Sequence, residues 1–350
     1  MERSTASPAL SRRGSILRIR ALRAAATAAL RVATTAAVAI WLVCLMLGVP
    51  RARITRAELG IASDESGRRC VTQPLKVYDH PAADRPISAN EYLPFVIASL
   101  NAYDMGEPMG FTLARHSPEW TRVRTVERPT GLRFDVYHRR EAGVLSVMAA
   151  YSGSETHDLG DWNANLAWFT GWLPIRNQYD DARDSFREVR AEAYAESGGS
   201  PVSFYATGHS LGGGIAQHIA YAFPCVSAPI FNASFVVLKY RLDQPFTGVP
   251  IVHIHEDLEP ITRLRRLLFV DRETAFYRYF RVQAVDMREF THSITGLAVG
   301  IARNVVQCQA AGTCMVDARD RRAIDTYCPT FGVKDEICAR AESHAAAVAR

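Results

Sequence analysis

The 350-residue chain is almost without acidic residues where it begins: residues 1–56 hold Glu2 alone against ten arginines. Beyond residue 56 the balance reverses, with 31 basic against 35 acidic residues, so the net +5 of the whole chain is a property of its first segment. A mildly acidic remainder offers no basic face to phosphates, which excludes a nucleic-acid partner. The chain has no C-x-x-C pair, which leaves it without the usual zinc spacing, and no metal or other cofactor is expected. It shows no internal repeat, which excludes a solenoid or propeller. No Ala-x-Ala site follows its one long apolar run.

That run is Val32 to Val49, 18 residues that would rise about 27 Å as a helix, enough to cross a hydrocarbon core. Six arginines from Arg3 to Arg23 precede it and Arg51, Arg53 and Arg56 follow. The excess before the run predicts a signal anchor with a cytoplasmic N-terminus and the main domain outside, with the membrane as partner of the N-terminal helix. A cleaved signal peptide, giving a secreted domain, and a buried core helix are the competing readings. The organisation expected is a basic segment (1–31), an anchor (32–49), a linker (50–75), a main domain (76–306) and a cysteine-containing extension (307–350). Outside the anchor there are six cysteines, Cys70, Cys225, Cys308, Cys314, Cys328 and Cys338. An even number suits disulfides in an oxidising compartment, with the pairing open, against the alternative of six buried thiols.

Along the main domain, a helix is expected over Glu91 to Tyr103, with Asn90 as cap and Pro94 in the first turn. Arg115 to Glu127 is polar, with Trp120 and Val123 as anchors. Leu132 to His138 alternates as a half-buried strand, Glu141-Ala142-Gly143 turns, and Val144 to Tyr151 is an almost wholly apolar central strand. Tyr179 to Ser197 reads as an amphipathic helix stopped by Gly198-Gly199. Strands are expected over Ser227 to Phe235, Val249 to His255 and Phe276 to Val282, and a helix over Thr291 to Val306. Alternating strands and helices predict an α/β fold with an open, mostly parallel sheet covered on both faces.

The stretch that carries chemistry is Gly208-His209-Ser210-Leu211-Gly212-Gly213-Gly214. A β-rich run, Val202 to Thr207, precedes it, and a helical run, Ile215 to Phe223, follows. Strand, G-x-S-x-G and helix together make the context of a nucleophile elbow, in which small neighbours let strand and helix approach and a strained serine points its hydroxyl outward. The alternative is a glycine-rich structural turn. A serine needs a base, usually histidine held by a carboxylate, and in this type of fold the order is Ser, acid, His. Position in that order favours His292. His218 lies two turns along the elbow helix and should point away; His253 and His255 share a strand face and read as solvated strand-end residues rather than metal ligands; His344 sits in the tail. Asp257 and Glu259 both qualify as the acid. The oxyanion donors expected are the N–H of Leu211 and a group at or near Ser154.

The run Ala149-Ala150-Tyr151-Ser152-Gly153-Ser154, followed by Asp161-Trp162-Asn163-Ala164-Asn165-Leu166, resembles the oxyanion strand and lid region of the class 3 (fungal-type) lipases. The Gly-His-Ser-Leu-Gly-Gly elbow has that family's form, and Asp257-Leu258-Glu259-Pro260 looks like its acid loop. The likeness spans Tyr92 to Ile301. It implies an α/β-hydrolase fold acting on ester bonds, often of lipids, with a movable lid and no cofactor. It supports Ser210, Asp257 and His292 as triad and Ser154 with Leu211 as oxyanion donors. Ser152 stands where the family usually has arginine. A register shifted to Glu259-Pro260-Ile261 makes Glu259 the fallback acid. Trp162, Trp168, Phe169 and Trp172 would form a lid or acyl-chain wall, or else pack in the core. The expected activity is lipase or carboxylesterase; phospholipase A1, thioesterase and a catalytically silent, membrane-tethered scaffold are the alternatives. Oligomeric state is left open.

Overall fold

The computed structural model describes residues 70–73, 75, 89–103, 112–153, 177–236, 248–256, 259, 261–262, 277–282, 292–310 and 328. The chain divides into two compact units; every described residue lies in the larger, Arg53–Gly160 with Ala167–Arg350. The predicted anchor 32–49 falls outside the described residues, among which no helix is long and apolar enough to cross a membrane.

Seven strands form one sheet in chain order: β1 (Thr121–Glu127), β2 (Arg133–Glu141), β3 (Val144–Tyr151), β4 (Val202–His209), β5 (Val226–Phe231), β6 (Ile251–Glu256) and β7 (Tyr277–Val282). The β1–β2 and β2–β3 pairs are antiparallel; from β3 onward every neighbouring pair is parallel. The change of direction follows from connection length. Ala142-Gly143 closes β2 to β3 as a tight turn, whereas parallel neighbours require long crossovers.

Five helices complete the described part: α1 (Ala89–Asn101), the one-turn α2 (Leu113–His116), α3 (Gln178–Ser197), α4 (Leu211–Ala222) and α5 (Ile294–Ala310). Alternation along the central strands sorts them into two layers. Met148 and Ala150 of β3 join α1 and α5 in one apolar cluster, while Val147, Ala149 and Tyr151 join α3 and α4 in another. A strand buried on both faces has no need of polar alternation, which is why β3 and β4 read as apolar runs. At α3, Asn177 accepts from Tyr179 N–H at 3.0 Å while Asp180 accepts from Asn177 N–H at 3.2 Å, a capping box that starts the helix one residue before the expected Tyr179.

Several expectations need correction. Asn90 lies inside α1 rather than capping it, which puts Pro94 in the second turn. Arg115 to Glu127 contains the end of α2 and the edge strand β1, and its buried apolar anchors are Trp120 and Val126; Val123 is 49% exposed. One disulfide pairing is defined: Cys70, bridged to Val202 beside the start of β4, joins Cys225 at the start of β5. Cys328 is also disulfide-bonded.

Candidate active site

The parallel strands end on one side of the sheet, and the polar residues of interest gather there. Ser210 occupies the turn between β4 and α4 with φ 55° and ψ −124°, a conformation that costs a non-glycine residue on the order of 1–3 kcal/mol. The turn is forced by packing. A Cβ on Gly208 would lie 2.5 Å from Gly212 C, and one on Gly212 would lie 2.3 Å from Tyr151 O, so both positions admit only glycine. Three main-chain hydrogen bonds hold the strained residue: Ser210 N–H to Phe231 O at 3.1 Å, and Ser210 O from Gly214 N–H at 3.1 Å and Ser234 N–H at 2.9 Å. Leu211 opens α4, so its N–H is among the first four with no acceptor inside the helix.

His292 precedes α5 and brings Nε2 to 3.0 Å from Ser210 Oγ. Its Nδ1 lies 2.9 Å from Glu259 Oε1. Among the described residues the carboxylate that meets the imidazole is Glu259, the fallback in the sequence reading; Asp257 lies outside the described residues. The reason is local. Glu259 is fully buried, and its oxygens also accept from the N–H groups of Ile261, at 3.0 Å, and Thr262, as the chain turns into helix. Burial pushes this carboxyl up, but hydrogen bonds from His292 and Thr262, with the charge of His292, outweigh it and bring it below the ordinary carboxylate value.

A second carboxylate stands behind the first. Glu256, at the end of β6, accepts from Asn232 Nδ2 at 3.2 Å and from the Ser293 N–H, and its own N–H donates to Asn232 Oδ1 at 3.0 Å. Burial dominates here and raises Glu256 to about 6. His209, beside Ser210, lies with its ring centroid 4.8 Å from that of His292. Its Nδ1 is 2.9 Å from Tyr103 Oη. Burial, with repulsion from His292, holds His209 well below the usual imidazole value, so its ring is neutral. Sequence reasoning did not single out Tyr103, His209, Asn232 or Glu256. The signals were faint: His209 is the variable residue of the motif, and Glu256 immediately precedes the acid candidate Asp257.

His218 is buried in α4, edge-on to Tyr179 at 5.6 Å. His253 and His255 are buried as well, not solvated: His253 Nε2 accepts from Ala233 N–H at 3.0 Å, and His255 Nδ1 lies 2.9 Å from Glu256 O. Among the described residues no group of three or more His, Cys, Asp or Glu is placed to hold a metal. Ser152 closes β3 with its N–H and Oγ both donating to Arg133 O, each at 3.0 Å. Ser154, Trp162, Trp168, Phe169, Trp172 and His344 lie outside the described residues.

Residues 97–236 match the phospholipase-like family described as the Tle-like phospholipase domain. That span runs from α1 through β5 and contains the elbow. No curated protein matches. Among solved structures the chain is similar to a Rhizomucor miehei lipase propeptide complex at 14% identity, covering 56% of this chain and 68% of that one, with a TM-score of 0.38. A Rhizopus microsporus var. chinensis lipase gives 11%, 69%, 96% and 0.36, and a Penicillium expansum triacylglycerol lipase 15%, 56%, 80% and 0.34. The fold itself is read from strand order and elbow: a mixed, largely parallel sheet with helices on both faces and a strained serine after a central strand is an α/β-hydrolase. Over the matched span this chain is similar to lipase-type members of that fold.

Proposed function

We propose that this chain hydrolyses lipid esters, with Ser210 as nucleophile, His292 as base and Glu259 as the carboxylate that orients it. One observation carries the reading: the unbroken run from Ser210 Oγ through the His292 imidazole to Glu259, at 3.0 and 2.9 Å, beginning on a strained elbow. Ser210 attacks the ester carbonyl while His292 takes its proton, and His292 then passes that proton to the departing alcohol. Water, deprotonated by the same imidazole, releases the fatty acid and restores the serine. The Leu211 N–H and a donor just beyond Gly153, at Ser154, receive the charge on the oxyanion.

The family match favours glycerophospholipids over triacylglycerols as substrate. The tryptophan-rich segment around Trp162, Trp168, Phe169 and Trp172 serves as lid or acyl-chain wall. The Cys70–Cys225 disulfide and the 32–49 run support a domain held outside the cytoplasmic membrane by an N-terminal anchor.

The test is labelling of the full chain, in detergent micelles, with a fluorophosphonate serine probe, beside Ser210→Ala and His292→Ala. Labelling lost in the first variant and strongly slowed in the second is expected. A folded wild-type chain that does not label would make the protein a silent scaffold. Fatty-acid release from phosphatidylcholine micelles, set against triolein and an acyl thioester, then decides the substrate class.

A further inference from the structure

The chain just after α1, the start of β2, the chain just after β3 and the elbow meet in a way the triad does not require. Arg133 draws two of these segments together: its carbonyl takes both hydrogen bonds from Ser152, and its guanidinium donates to Ala102 O. Ala102 precedes Tyr103, whose hydroxyl lies 2.9 Å from His209 Nδ1 and 3.2 Å from His209 O, and also receives the Gly153 N–H. The approach is close enough that a Cβ on Gly153 would sit 2.3 Å from Tyr103 Oη. One arrangement satisfies the four groups around the phenol, with Nε2 of His209 outside it: Gly153 N–H and His209 Nδ1–H donate to the phenol oxygen, and the phenol proton goes to His209 O. Burial keeps that phenol protonated through the working pH range. The His209 ring, fixed in this way, lies against the His292 ring.

We infer that Tyr103 and His209 act as one positioning unit, which sets the oxyanion turn after β3 at a fixed distance from the elbow and holds the His292 imidazole in line with Ser210. This rests on the proposed role of Ser210 and His292. Gly153 immediately precedes the oxyanion donor candidate Ser154, so a hydroxyl that locks Gly153 to the backbone of His209 also sets where the oxyanion forms relative to Ser210. Misplacement by about an ångström costs up to roughly a hundredfold in rate without loss of binding. A neutral partner is needed against His292, since a cation there would oppose the imidazolium formed as Ser210 gives up its proton.

The test is steady-state hydrolysis of p-nitrophenyl butyrate by the full chain, with thermal melting of each variant. Tyr103→Phe should lower kcat about tenfold with KM unchanged within twofold, and His209→Phe, which keeps an aromatic ring against His292, should do the same. The double variant should lose little more than either single one, because the two act together. Gly153→Ala, which crowds the hydroxyl without deleting it, supplies the same readout should Tyr103→Phe fail to fold. Losses that multiply, a rise in KM with kcat intact, or wild-type kcat in Tyr103→Phe would each overturn the inference. The fluorophosphonate reaction separates its failure from that of the hydrolase reading. A wild-type chain that labels at Ser210, with Tyr103→Phe labelling equally fast, sinks the positioning unit alone; a wild-type chain that does not label sinks both.

Discussion

Glu256 and Glu259 are three residues apart, both buried at the end of β6, and both close enough to His292 to feel its charge, yet their carboxyls are driven in opposite directions. Burial is the largest influence on each. At Glu259 it is overcome by the hydrogen bond and charge of the His292 imidazole and by hydrogen bonds from Thr262. At Glu256 the Asn232 amide and the Ser293 N–H fall short, and the carboxyl rises to about 6. Depth in the protein thus does not decide which carboxylate serves a histidine; the number and charge of the donors aimed at it do. Glu259 is built to stay ionised against an imidazolium. Glu256 is built to hold Asn232 and Ser293, the residue next to His292, in place.

The largest effect expected follows directly. Glu259→Gln removes the charge that stabilises the imidazolium and should lower kcat for p-nitrophenyl butyrate by about a thousandfold. Glu256→Gln should lower it by less than about tenfold, since its hydrogen bonds go to Asn232 and the Ser293 N–H and not to the His292 ring. Equal losses in the two variants would erase the distinction, and a larger loss in Glu256→Gln would exchange the roles.

Asn232 is the next place to press. It sits at φ 40°, a left-handed conformation that asparagine tolerates, and its amide serves Glu256 on both sides. Asn232→Ala leaves a buried carboxylate short of a donor and should destabilise the fold by about 2–3 kcal/mol in denaturant unfolding. A change below about 0.5 kcal/mol would mean that the amide does not govern Glu256.

The pH dependence of stability sharpens the same contrast. The folded Glu256 carboxyl lies near 6, above its ordinary value of 4.5, so the native state binds that proton more tightly than the unfolded chain does. Its contribution is fully favourable below 4.5 and declines as pH rises toward 6. Glu259 has the opposite sign: its folded carboxyl is depressed, so its contribution is present above 4.5 and fades as pH falls through the folded value. Glu256→Gln should therefore gain on the order of 1 kcal/mol over wild type above pH 6, with the gain vanishing toward pH 4.5. Melting curves across that window check it; a constant offset would show that the carboxyl does not titrate there.

The comparison also explains what the sequence could disclose. β3 ends where its apolar run ends, at Val144 and Tyr151, because a doubly buried strand writes itself as uninterrupted hydrophobics. The elbow was legible because steric exclusion at Gly208 and Gly212 is a local matter. His292 was legible through chain order. β1 was not, since an edge strand reading Thr-Arg-Val-Arg-Thr-Val-Glu buries only Val126 and has no apolar face to announce it. The choice between Asp257 and Glu259 was equally out of reach, because it turns on which carboxyl finds the N–H groups of Ile261 and Thr262 and a histidine 33 residues away. Tyr103 and His209 are 106 residues apart, and no pattern links them until the sheet is assembled.

The smallest effect expected is the most exposed to contradiction. Asp257 fits the resemblance to an Asp-hydrophobic-x-Pro acid loop, whereas Glu259 holds Nδ1 of His292 at 2.9 Å. One imidazole N–H accommodates one such carboxylate, and Glu259 is the described residue seated there. Asp257→Asn, which preserves shape and removes charge, should change kcat by less than about twofold and leave the acid limb of kcat/KM where it was. A large fall confined to kcat would hand the orienting role to Asp257 and make Glu259, with its three donors, a structural carboxylate that caps the turn into the following helix. Combining Asp257→Asn with Glu259→Gln tests this from the other side. If Glu259 alone orients His292, the double variant loses no more than Glu259→Gln does; a further tenfold loss would mean that the two carboxylates share the work.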